Sequence, residues 1–267
     1  MNFAVIGHPI RHSLSPVMHH ANFKALGRND EYSALDIDPK HFHHIKDVIA
    51  QKNIDGFNVT IPFKVDIMAY CDEIDIAAKM IGAVNTVHIK NGKWIGYNTD
   101  GLGYLSSINH VLKEDMNILI LGAGGASRAI SYTMMQKHRV TVANRTLKRI
   151  ETWPFKVNGV TYDKLNDLSV YDLVINTTPV GMTGFDEMSL IRCHDLKKSC
   201  VVSDIIYTPE KTAFLKEAES NNLKIINGLG MFVMQGAKSF ELWTGLKADS
   251  HAMSEAVQTT LKGRNKC

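Results

Sequence analysis

The chain has 267 residues, and its 30 lysine and arginine residues nearly balance 27 aspartate and glutamate residues, for a formal net charge of +3. A chain of this length buries roughly three quarters of its unfolded surface, which suffices for two modest domains with separate cores. Because no long run of one charge sign occurs, the composition predicts no nucleic-acid partner and no membrane-surface partner. Small anionic ligands stay possible.

The N-terminus and the cysteines bear on location. The first ten residues contain only a short apolar run and no charged leader, so we expect neither a signal peptide nor a membrane span. The cysteines show no CxxC or zinc-like spacing; they are Cys71, Cys193, Cys200 and Cys267. We interpret them as free thiols in a reducing compartment, the cytoplasm.

The first hundred residues alternate strand-like and helix-like segments. Strands are predicted at residues 3–6, 32–37 and 56–61, and helices at 16–26, 39–49 and 63–70. Ser15 is the expected N-cap of the first helix, with Pro16 at its first helical position. This order predicts a parallel sheet, followed by a hairpin of residues 84–89 and 94–97 around Asn91-Gly92.

A second α/β series follows the polar stretch 113–117, where we place a domain boundary. A helix at 101–112 precedes that stretch, and strands are predicted at 118–121, 140–143, 173–176 and 201–205. Helices are predicted at 126–136, near Leu147 and through most of the tail from Pro209. The pattern predicts an α/β protein with a domain at 1–113 and a doubly wound domain at 114–237. Helices from about 238 to 267 are expected to pack back on the first domain.

The most informative stretch is NILILGAGGASR, residues 117–128, in which a buried-type strand runs into glycines and a helix. Gly122, Gly124 and Gly125 permit a tight turn and a close ligand approach, and the following helix directs its free N–H groups at a pyrophosphate. Ser127 stands where a third glycine is usual, and it is small enough to keep the helix close to the strand. The alternative is an ordinary strand-to-helix turn.

The residues after the second strand of this domain bear on the choice of cofactor. An acidic residue there would bind the ribose hydroxyls of NAD, yet Ala143 is followed by Asn144, Arg145 and Thr146. The guanidinium of Arg145 suits a 2′-phosphate, with Thr146 and Lys148 or Arg149 as further donors. We therefore predict NADP over NAD; the alternative is an arginine in a surface loop.

Several polar groups follow strands in the first domain. Ser13 and Ser15 can face one carboxylate, although a capping and turn role also fits them. Asn58 and Thr60 with the nearby Lys64 can converge on the hydroxyls of a polyol, while the alternative for Lys64 is a solvated helix face. Further donors and one carboxylate come from Asn85, Thr86 and the segment Asn98-Thr-Asp-Gly101. That segment also fits an ordinary turn and helix cap.

The twelve histidines do not indicate a metal site. His41 and His44 have helical i, i+3 spacing, but no carboxylate or cysteine completes a ligand set, so a solvated helix face is favoured. Met231 and Met234 are interpreted as gap-filling core or pocket lining. We predict no metal.

Taken in order along the chain, the motifs resemble those of shikimate dehydrogenase. They are His12-Ser-Leu-Ser-Pro16, Asn58-Val-Thr-Ile-Pro-Phe-Lys64, Gly82-Ala-Val-Asn-Thr86, Asn98-Thr-Asp-Gly101, Gly122-Ala-Gly-Gly-Ala126, Asn144-Arg-Thr146 and Gly228-Leu-Gly-Met231 with Gln235-Gly236. The resemblance implies an N-terminal substrate domain and a C-terminal Rossmann-like NADP domain that face each other across a cleft. It also implies NADP-dependent interconversion of 3-dehydroshikimate and shikimate at the 3-position, in aromatic amino acid biosynthesis.

The resemblance also implies roles for individual residues. Ser13 and Ser15 would bind the substrate carboxylate, and Lys64 with Asp100 would form the catalytic pair. Contacts to the rest of the substrate would come from Asn58, Thr60, Asn85, Tyr207 and Gln235. NADP would contact Gly122, Ala123, Gly124, Gly125, Ala126, Asn144, Arg145, Thr146, Lys148, Arg149, Ile205 and Gly228. His20 and Phe232 depart from the family pattern, where asparagine and leucine are common.

Two other functions remain as alternatives at this point. One is an NAD-preferring quinate/shikimate dehydrogenase, and the other is a catalytically silent NADP-binding sensor. The retention of Lys64 and Asp100 argues against the sensor. The sequence shows no long apolar surface stripe, so we expect a monomer or a weak homodimer.

Overall fold

The structure is a computed structural model that describes residues 1–264. Residues 265–267, with Cys267 and the end of the predicted segment 238–267, lie outside the described residues. The chain divides into two compact units. Unit 1 comprises Met1–Thr99 and the chain from Val233 onward, and unit 2 comprises Asp100–Phe232.

Strands and helices alternate along the chain largely as the sequence predicts, but the short elements at residues 73–74, 76–81, 158–161 and 224–226 were not predicted. The strands are β1 (Asn2–Gly7), β2 (Glu31–Asp36), β3 (Gly56–Val59), β4 (Glu73–Ile74), β5 (Thr86–Lys90), β6 (Lys93–Tyr97), β7 (Asn117–Leu121), β8 (Arg139–Asn144), β9 (Asn158–Thr161), β10 (Leu173–Asn176), β11 (Val201–Asp204) and β12 (Lys224–Ile226). The α-helices are α1 (Ser15–Ala25), α2 (Ile45–Gln51), α3 (Ile76–Ile81), α4 (Asp100–Ile108), α5 (Gly125–Met134), α6 (Lys148–Glu151), α7 (Ala213–Ser220), α8 (Leu229–Thr244) and α9 (Ser250–Arg264). Short 3₁₀ helices cover Pro39–His44, Asp66–Tyr70, Tyr162–Lys164 and Cys193–Asp195.

Unit 1 contains a mixed sheet in the order β2-β1-β3-β5-β6-β4. The pairs of β1 with β2 and with β3 are parallel, whereas β5 pairs antiparallel with both β3 and β6. The predicted hairpin is confirmed, since Asn91 and Gly92 adopt φ angles of 52° and 76°, as a tight two-residue hairpin turn requires. Because β1 and β3 are parallel, the segments that follow these two strands begin at the same edge of the sheet.

Two local predictions in unit 1 are wrong. Ser15 is the first residue of α1 rather than its N-cap; the cap position falls on Leu14, whose side chain makes no capping hydrogen bond. The helix predicted at 63–70 is shortened to the 3₁₀ helix Asp66–Tyr70. The carbonyl of Lys64 accepts the N–H of Val84 at 2.8 Å, so it is not available to continue an α-helix.

Apolar side chains cover both faces of the unit 1 sheet. On one face, Phe240 and Trp243 of α8 pack with Phe3 and Phe23, and the Phe3 and Trp243 rings stack at 4.7 Å. Gly56 is required beneath them, because an added Cβ would lie 2.5 Å from the Trp243 ring. The C-terminal helix α8 is thus part of the core of unit 1.

Unit 2 contains a six-stranded sheet in the order β12-β11-β10-β7-β8-β9, and every pair in it is parallel. The chain therefore winds outward from β7 in both directions, which confirms the predicted doubly wound fold. Ile118 and Ile120 contribute to the core on one face, and Leu119 and Leu121 to the core on the other. Burial on both faces explains the continuous apolar sequence of β7.

The division between the units differs from the predicted boundaries at 113/114 and 237/238. It falls between Thr99 and Asp100 and again between Phe232 and Val233. Helix α4 belongs to unit 2 because Tyr104 and Ile108 lie in its core. A side chain at Gly101 would collide with Thr133 and Ala129 of α5, so the two helices pack in close contact.

Candidate functional site

A buried polar network lies where β3 and β5 of unit 1 meet. Asn58 on β3 is 7% exposed; its Oδ1 accepts the Tyr32 hydroxyl at 2.7 Å. Its Nδ2 donates to the carbonyl of Asn85 at 3.2 Å and to Oγ of Ser239 at 2.8 Å. Three separate segments of the chain therefore fix the amide plane of Asn58.

The same network holds the side chain of Asn85. Its Oδ1 accepts the backbone N–H of Thr99 at 2.8 Å, and its Nδ2 donates to the Thr99 hydroxyl at 3.0 Å. The hydroxyls of Thr86 and Ser239 lie 2.8 Å apart, and both side chains are buried. These contacts bring the predicted residues Asn58 and Asn85 together in a pre-organised arrangement.

The predicted serine pair lies at the start of α1. The backbone N–H of Ser15 donates to Oγ of Ser13 at 3.3 Å, so Ser13 has the turn role that the sequence left open. The Ser15 side chain hydrogen-bonds with the Tyr32 hydroxyl, whose pKa is raised well above its ordinary value by burial. Tyr32 thus connects the serine pair to Asn58.

Thr60 and Lys64 lie in the turn that follows β3. The N–H of Thr60 donates to the carbonyl of Ile6 at 2.9 Å, and its own carbonyl accepts the N–H of Phe63 at 3.0 Å. Lys64 is half-buried, and its backbone is fixed by the hydrogen bond from Val84. Gln235 on α8 lies one turn before Ser239, whose hydroxyl donates to the Gln235 carbonyl at 3.0 Å.

Asp100 is the first residue of α4 and begins unit 2. Its side chain is buried, and a carboxylate in the first turn of a helix interacts favourably with the helix dipole. Lys64 belongs to unit 1 and Asp100 to unit 2, so their action as a pair stays a prediction.

The glycine turn of unit 2 has the geometry of a ligand cradle. Gly122 adopts a φ of +99°, and a Cβ there would lie 2.7 Å from the Thr178 methyl group, so this position requires glycine. Gly124 and Gly125 are exposed, and added Cβ atoms would meet nothing within 4 Å. Ser127 is fully buried and donates to the Gly122 carbonyl at 2.7 Å. The open space at the start of α5, beside the half-buried Ala123 and Ala126, fits a pyrophosphate.

The loop after β8 carries cationic side chains and no carboxylate that would repel a phosphate group. Asn144 ends the strand, and its Nδ2 donates to the carbonyl of Thr146 at 2.9 Å, which shapes the loop. The exposed side chains there are Arg145, Thr146, Lys148 and Arg149. Such a loop fits a phosphate group better than a ribose with free hydroxyls.

In unit 2, the segment that follows β11 contacts the segment at the start of α8. The N–H of Gly228 donates to the Ile206 carbonyl at 2.9 Å, and a side chain at Gly228 would collide with the Ile205 carbonyl. The rings of Tyr207 and Phe232 lie 5.0 Å apart. Phe232, one of the two departures from the family pattern, therefore contacts a residue predicted to lie near substrate.

The part of the chain that the structure describes, residues 1–264, also bears on metal binding and membrane insertion. In that range, no group of three His, Cys, Asp or Glu side chains is placed to hold a metal ion. His41, His43 and His44 are exposed on the 3₁₀ helix Pro39–His44. None of the helices in the same range is long and apolar enough to cross a membrane.

Sequence reasoning did not single out Tyr32 or Ser239 as parts of the network. Tyr32 lies in a predicted strand, where an aromatic side chain is expected to be an ordinary core residue. Ser239 is separated from Asn58 by 181 positions of the sequence. One signal for Ser239 is its position four residues after Gln235, on the same face of a helix.

The fold and the site define a two-unit α/β protein with a buried polar network in one unit and a dinucleotide-type turn in the other. Residues 5–87 match a family model described as shikimate dehydrogenase substrate binding domain. Residues 228–258 match one described as shikimate 5′-dehydrogenase C-terminal domain.

Full-length relatives agree with these models. A protein of Staphylococcus aureus (strain bovine RF122 / ET3-1) named shikimate dehydrogenase (NADP(+)) is 53% identical over 268 residues, covering 98% of this chain and 100% of the relative. A shikimate dehydrogenase crystallised with NADP+ superposes with a TM-score of 0.90 at 41% identity, covering 97% of this chain and 95% of that one. The enzyme of Thermus thermophilus, crystallised with NADP(H) and shikimate, gives a TM-score of 0.86 at 33% identity, covering 97% of this chain and 99% of that one. The chain belongs to the shikimate dehydrogenase family.

Proposed function

We propose that this chain catalyses the NADP-dependent interconversion of 3-dehydroshikimate and shikimate at the 3-position, a step of aromatic amino acid biosynthesis. The observation that carries the proposal is the buried network around Asn58 and Asn85 in the part of the chain that matches the substrate-binding model. Fixed amide and hydroxyl groups of this kind suit a small ring that carries several hydroxyls.

In this proposal, unit 1 is the substrate domain. Ser13 and Ser15 bind the substrate carboxylate, since their hydroxyls and the start of α1 offer donors to an anion. The ring hydroxyls are bound by Asn58, Thr60, Asn85 and Gln235, and Tyr207 of unit 2 lies beside the ring. The shared contacts of Tyr32 with Ser15 and Asn58 support a common role for the two groups.

Lys64 and Asp100 handle the proton of the reaction. NADP(H), when bound, supplies only hydride transfer, so a protein group must exchange the proton of the reacting hydroxyl. The Lys64 ammonium donates a proton to the ketone oxygen of 3-dehydroshikimate, and the neutral amine accepts the hydroxyl proton of shikimate. Asp100 orients the ammonium and hydrogen-bonds the same hydroxyl.

Unit 2 is the NADP domain in this proposal. The open backbone at Gly122, Gly124 and Gly125, with Ala123 and Ala126, receives the pyrophosphate at the start of α5. The 2′-phosphate is bound by Arg145, with Thr146, Lys148, Arg149 and the loop-shaping Asn144. Ile205 and Gly228 line the nicotinamide position, supported by their close packing on each other.

We also propose that the protein acts in the cytoplasm as a monomer or a weak homodimer. Free thiols at Cys71, Cys193 and Cys200 support a reducing compartment. The lack of a long apolar stripe in the sequence supports weak self-association. Analytical ultracentrifugation at assay concentration measures the oligomeric state.

A spectrophotometric assay tests the function. The absorbance of reduced nicotinamide is followed with NADP or NAD as cofactor, and with shikimate, quinate or no substrate. We expect the highest kcat/KM with NADP and shikimate. A higher value with NAD and quinate would identify a quinate/shikimate dehydrogenase, and NADP binding without any turnover would identify a sensor.

A further inference from the structure

Asp204, the last residue of β11, is a fully buried carboxylate without a role in the proposed chemistry. Its Oδ1 accepts the backbone N–H of Ile206 at 2.9 Å. Its Oδ2 accepts the Nδ2 group of Asn176 at 3.0 Å and the hydroxyl of Thr212 at 2.8 Å. Burial raises the pKa of this carboxyl group, and the three donors oppose that shift by favouring the ionised form.

The donor role of Asn176 is locked by its other contacts. Its Oδ1 accepts both the N–H and the hydroxyl of Thr178, at 3.0 and 2.7 Å. Its Nδ2 also donates to the carbonyl of Val180 at 3.1 Å. Because the amide cannot turn over without losing these bonds, position 204 must offer an acceptor to Asn176 at Oδ2, and the N–H of Ile206 requires a second acceptor at Oδ1.

The contact from Asp204 to Ile206 fixes one peptide unit. The N–H of Ile206 is held by Asp204, and the carbonyl of Ile206 accepts the N–H of Gly228. The neighbouring Ile205 carbonyl lies so close to Gly228 that no side chain fits there. Both backbone polar groups of Ile206 are therefore hydrogen-bonded, which fixes the segment from Ile205 to Tyr207. Asp204 accepts one of these two hydrogen bonds.

We propose that Asp204 is a positioning residue for hydride transfer, which sets the place of the Ile205–Ile206 backbone against Gly228. The inference rests on the proposed function, in which Ile205 and Gly228 line the nicotinamide position and Tyr207 lies beside the substrate. Hydride transfer depends on alignment of two bound reactants, and a misplacement of about 1 Å costs about 100-fold in rate. Asp204 thus acts on kcat through the backbone that it holds.

The first test is Asp204→Asn, which keeps the shape and turns one acceptor into a donor facing Asn176. We expect kcat to fall about 10- to 100-fold, with KM for shikimate within about threefold of wild type. Asp172→Asn is the matched control: this carboxylate, just before β10, accepts the N–H of Asn117 at 2.8 Å and pairs with Lys197 at 2.6 Å. We expect the control to keep wild-type kcat.

The second test is an exchange, Asp204→Asn with Asn176→Asp, which restores a donor opposite an acceptor between positions 204 and 176. It loses the bond to Val180, and the Thr212 hydroxyl must accept from position 204 rather than donate to it. We expect the exchange to recover at least about fivefold of the lost kcat. If Asp204→Asn does not fold by circular dichroism, Thr212→Val replaces it and Thr212→Ser is its control. We then expect a loss in kcat of about 3- to 10-fold for valine, which lacks the hydroxyl that donates to Asp204 and caps α7, and less than twofold for serine, which keeps it.

The outcomes separate this inference from the proposed function. Wild-type protein without NADP-dependent turnover of shikimate would contradict the proposed function itself. An active wild type together with a folded Asp204→Asn variant of unchanged kcat would overturn only the positioning role. An exchange variant no better than Asp204→Asn, or equal kcat values for Thr212→Val and Thr212→Ser, would overturn it as well.

Discussion

The polar network of unit 1 and the glycine turn of unit 2 differ in the groups that they offer to a ligand. In unit 1, the site consists of buried side chains such as Asn58, Asn85 and Ser239, which hydrogen-bond one another. In unit 2, the candidate cofactor site consists of exposed backbone at Gly124 and Gly125 and an exposed cation, Arg145. A buried network can orient the hydroxyls of a small ring, whereas open backbone accommodates a long, anionic ligand. Substitutions in the glycine turn and in the loop after β8 of unit 2 should therefore act mainly on cofactor affinity, whereas substitutions in the polar network of unit 1 should act on the handling of the substrate.

The largest expected effect is that of Lys64→Ala. Removing the group that exchanges the proton should lower kcat by roughly 10²- to 10⁴-fold, with a smaller change in KM for shikimate. Steady-state kinetics with NADP and shikimate measure both constants. Lys79→Ala, on the exposed face of α3, is the control and should leave kcat unchanged.

Asp100 provides the companion measurement for this prediction. Asp100→Asn should also act mainly on kcat, and the double variant with Lys64→Ala should lose less than the two single losses combined, because the groups act as a unit. Near wild-type kcat for Lys64→Ala would remove this residue from the proton transfer.

The next effect distinguishes two glycines of one turn. Gly122→Ala introduces a Cβ at a φ of +99° and 2.7 Å from Thr178, so it should lower the free energy of unfolding by at least about 2 kcal/mol. Gly124→Ala meets open space at a φ of −87° and should leave that free energy within about 0.5 kcal/mol. Urea unfolding measures both values.

The effect of Gly124→Ala on cofactor binding is measured as KM for NADP. Gly124→Ala should raise it, since the new methyl group occupies the space offered to the pyrophosphate. Unchanged KM values together with unchanged stability would show that no ligand approaches Gly124.

Arg145→Ala should have a smaller effect that is specific to one cofactor. Loss of a charge-assisted hydrogen bond to the 2′-phosphate should raise KM for NADP about 10-fold and KM for NAD less than about twofold. The exposed Arg192, in another loop of unit 2, supplies the control variant Arg192→Ala. Equal changes for NADP and NAD would contradict the assignment.

The sequence predicted those elements of the fold whose own residues determine their structure. Strand β10 was predicted with its observed ends, Leu173–Asn176, because four buried apolar or amide residues stand between polar flanks. Strands β9 and β12 were missed, since they are short edge strands of partly exposed residues that owe their conformation to pairing with β8 and β11. Tertiary contact, rather than local pattern, forms them.

The same distinction holds for the site. The glycine turn was predictable because steric need for glycine is local to a strand and the helix after it. The partners of Asn58 were not, since Tyr32 and Ser239 come from distant segments that only the folded sheet and α8 bring together. Ser15 shows the converse error: its position favoured a helix cap, but its side chain hydrogen-bonds with Tyr32 instead.

His19 provides a test of burial in unit 1 that needs no ligand, because a buried imidazole changes how stability depends on pH. It lies on α1, fully buried, and its ring stacks on Tyr32 at 4.2 Å. Neither ring nitrogen has a hydrogen-bond partner among the described residues. Burial, assisted by the nearby His20, lowers the pKa of His19 to about 3.

This lowered pKa gives the smallest of the predicted effects, and its sign is fixed. Below the ordinary histidine pKa of about 6.5, the unfolded chain binds a proton at His19 that the folded chain does not bind, so acid favours unfolding. Stability should therefore fall by about 1 kcal/mol between pH 6.5 and 5.5, and by at most about 1.4 kcal/mol per further unit down to about pH 3. His19→Phe keeps the stacking and removes the titration, so urea unfolding should show a stability gap from wild type that changes with pH by these amounts. His12→Gln, which removes a histidine at an exposed position and leaves the buried ring in place, is the control variant. A constant gap between His19→Phe and wild type would mean that His19 gains its proton in the folded state, and that the interior of unit 1 admits charge.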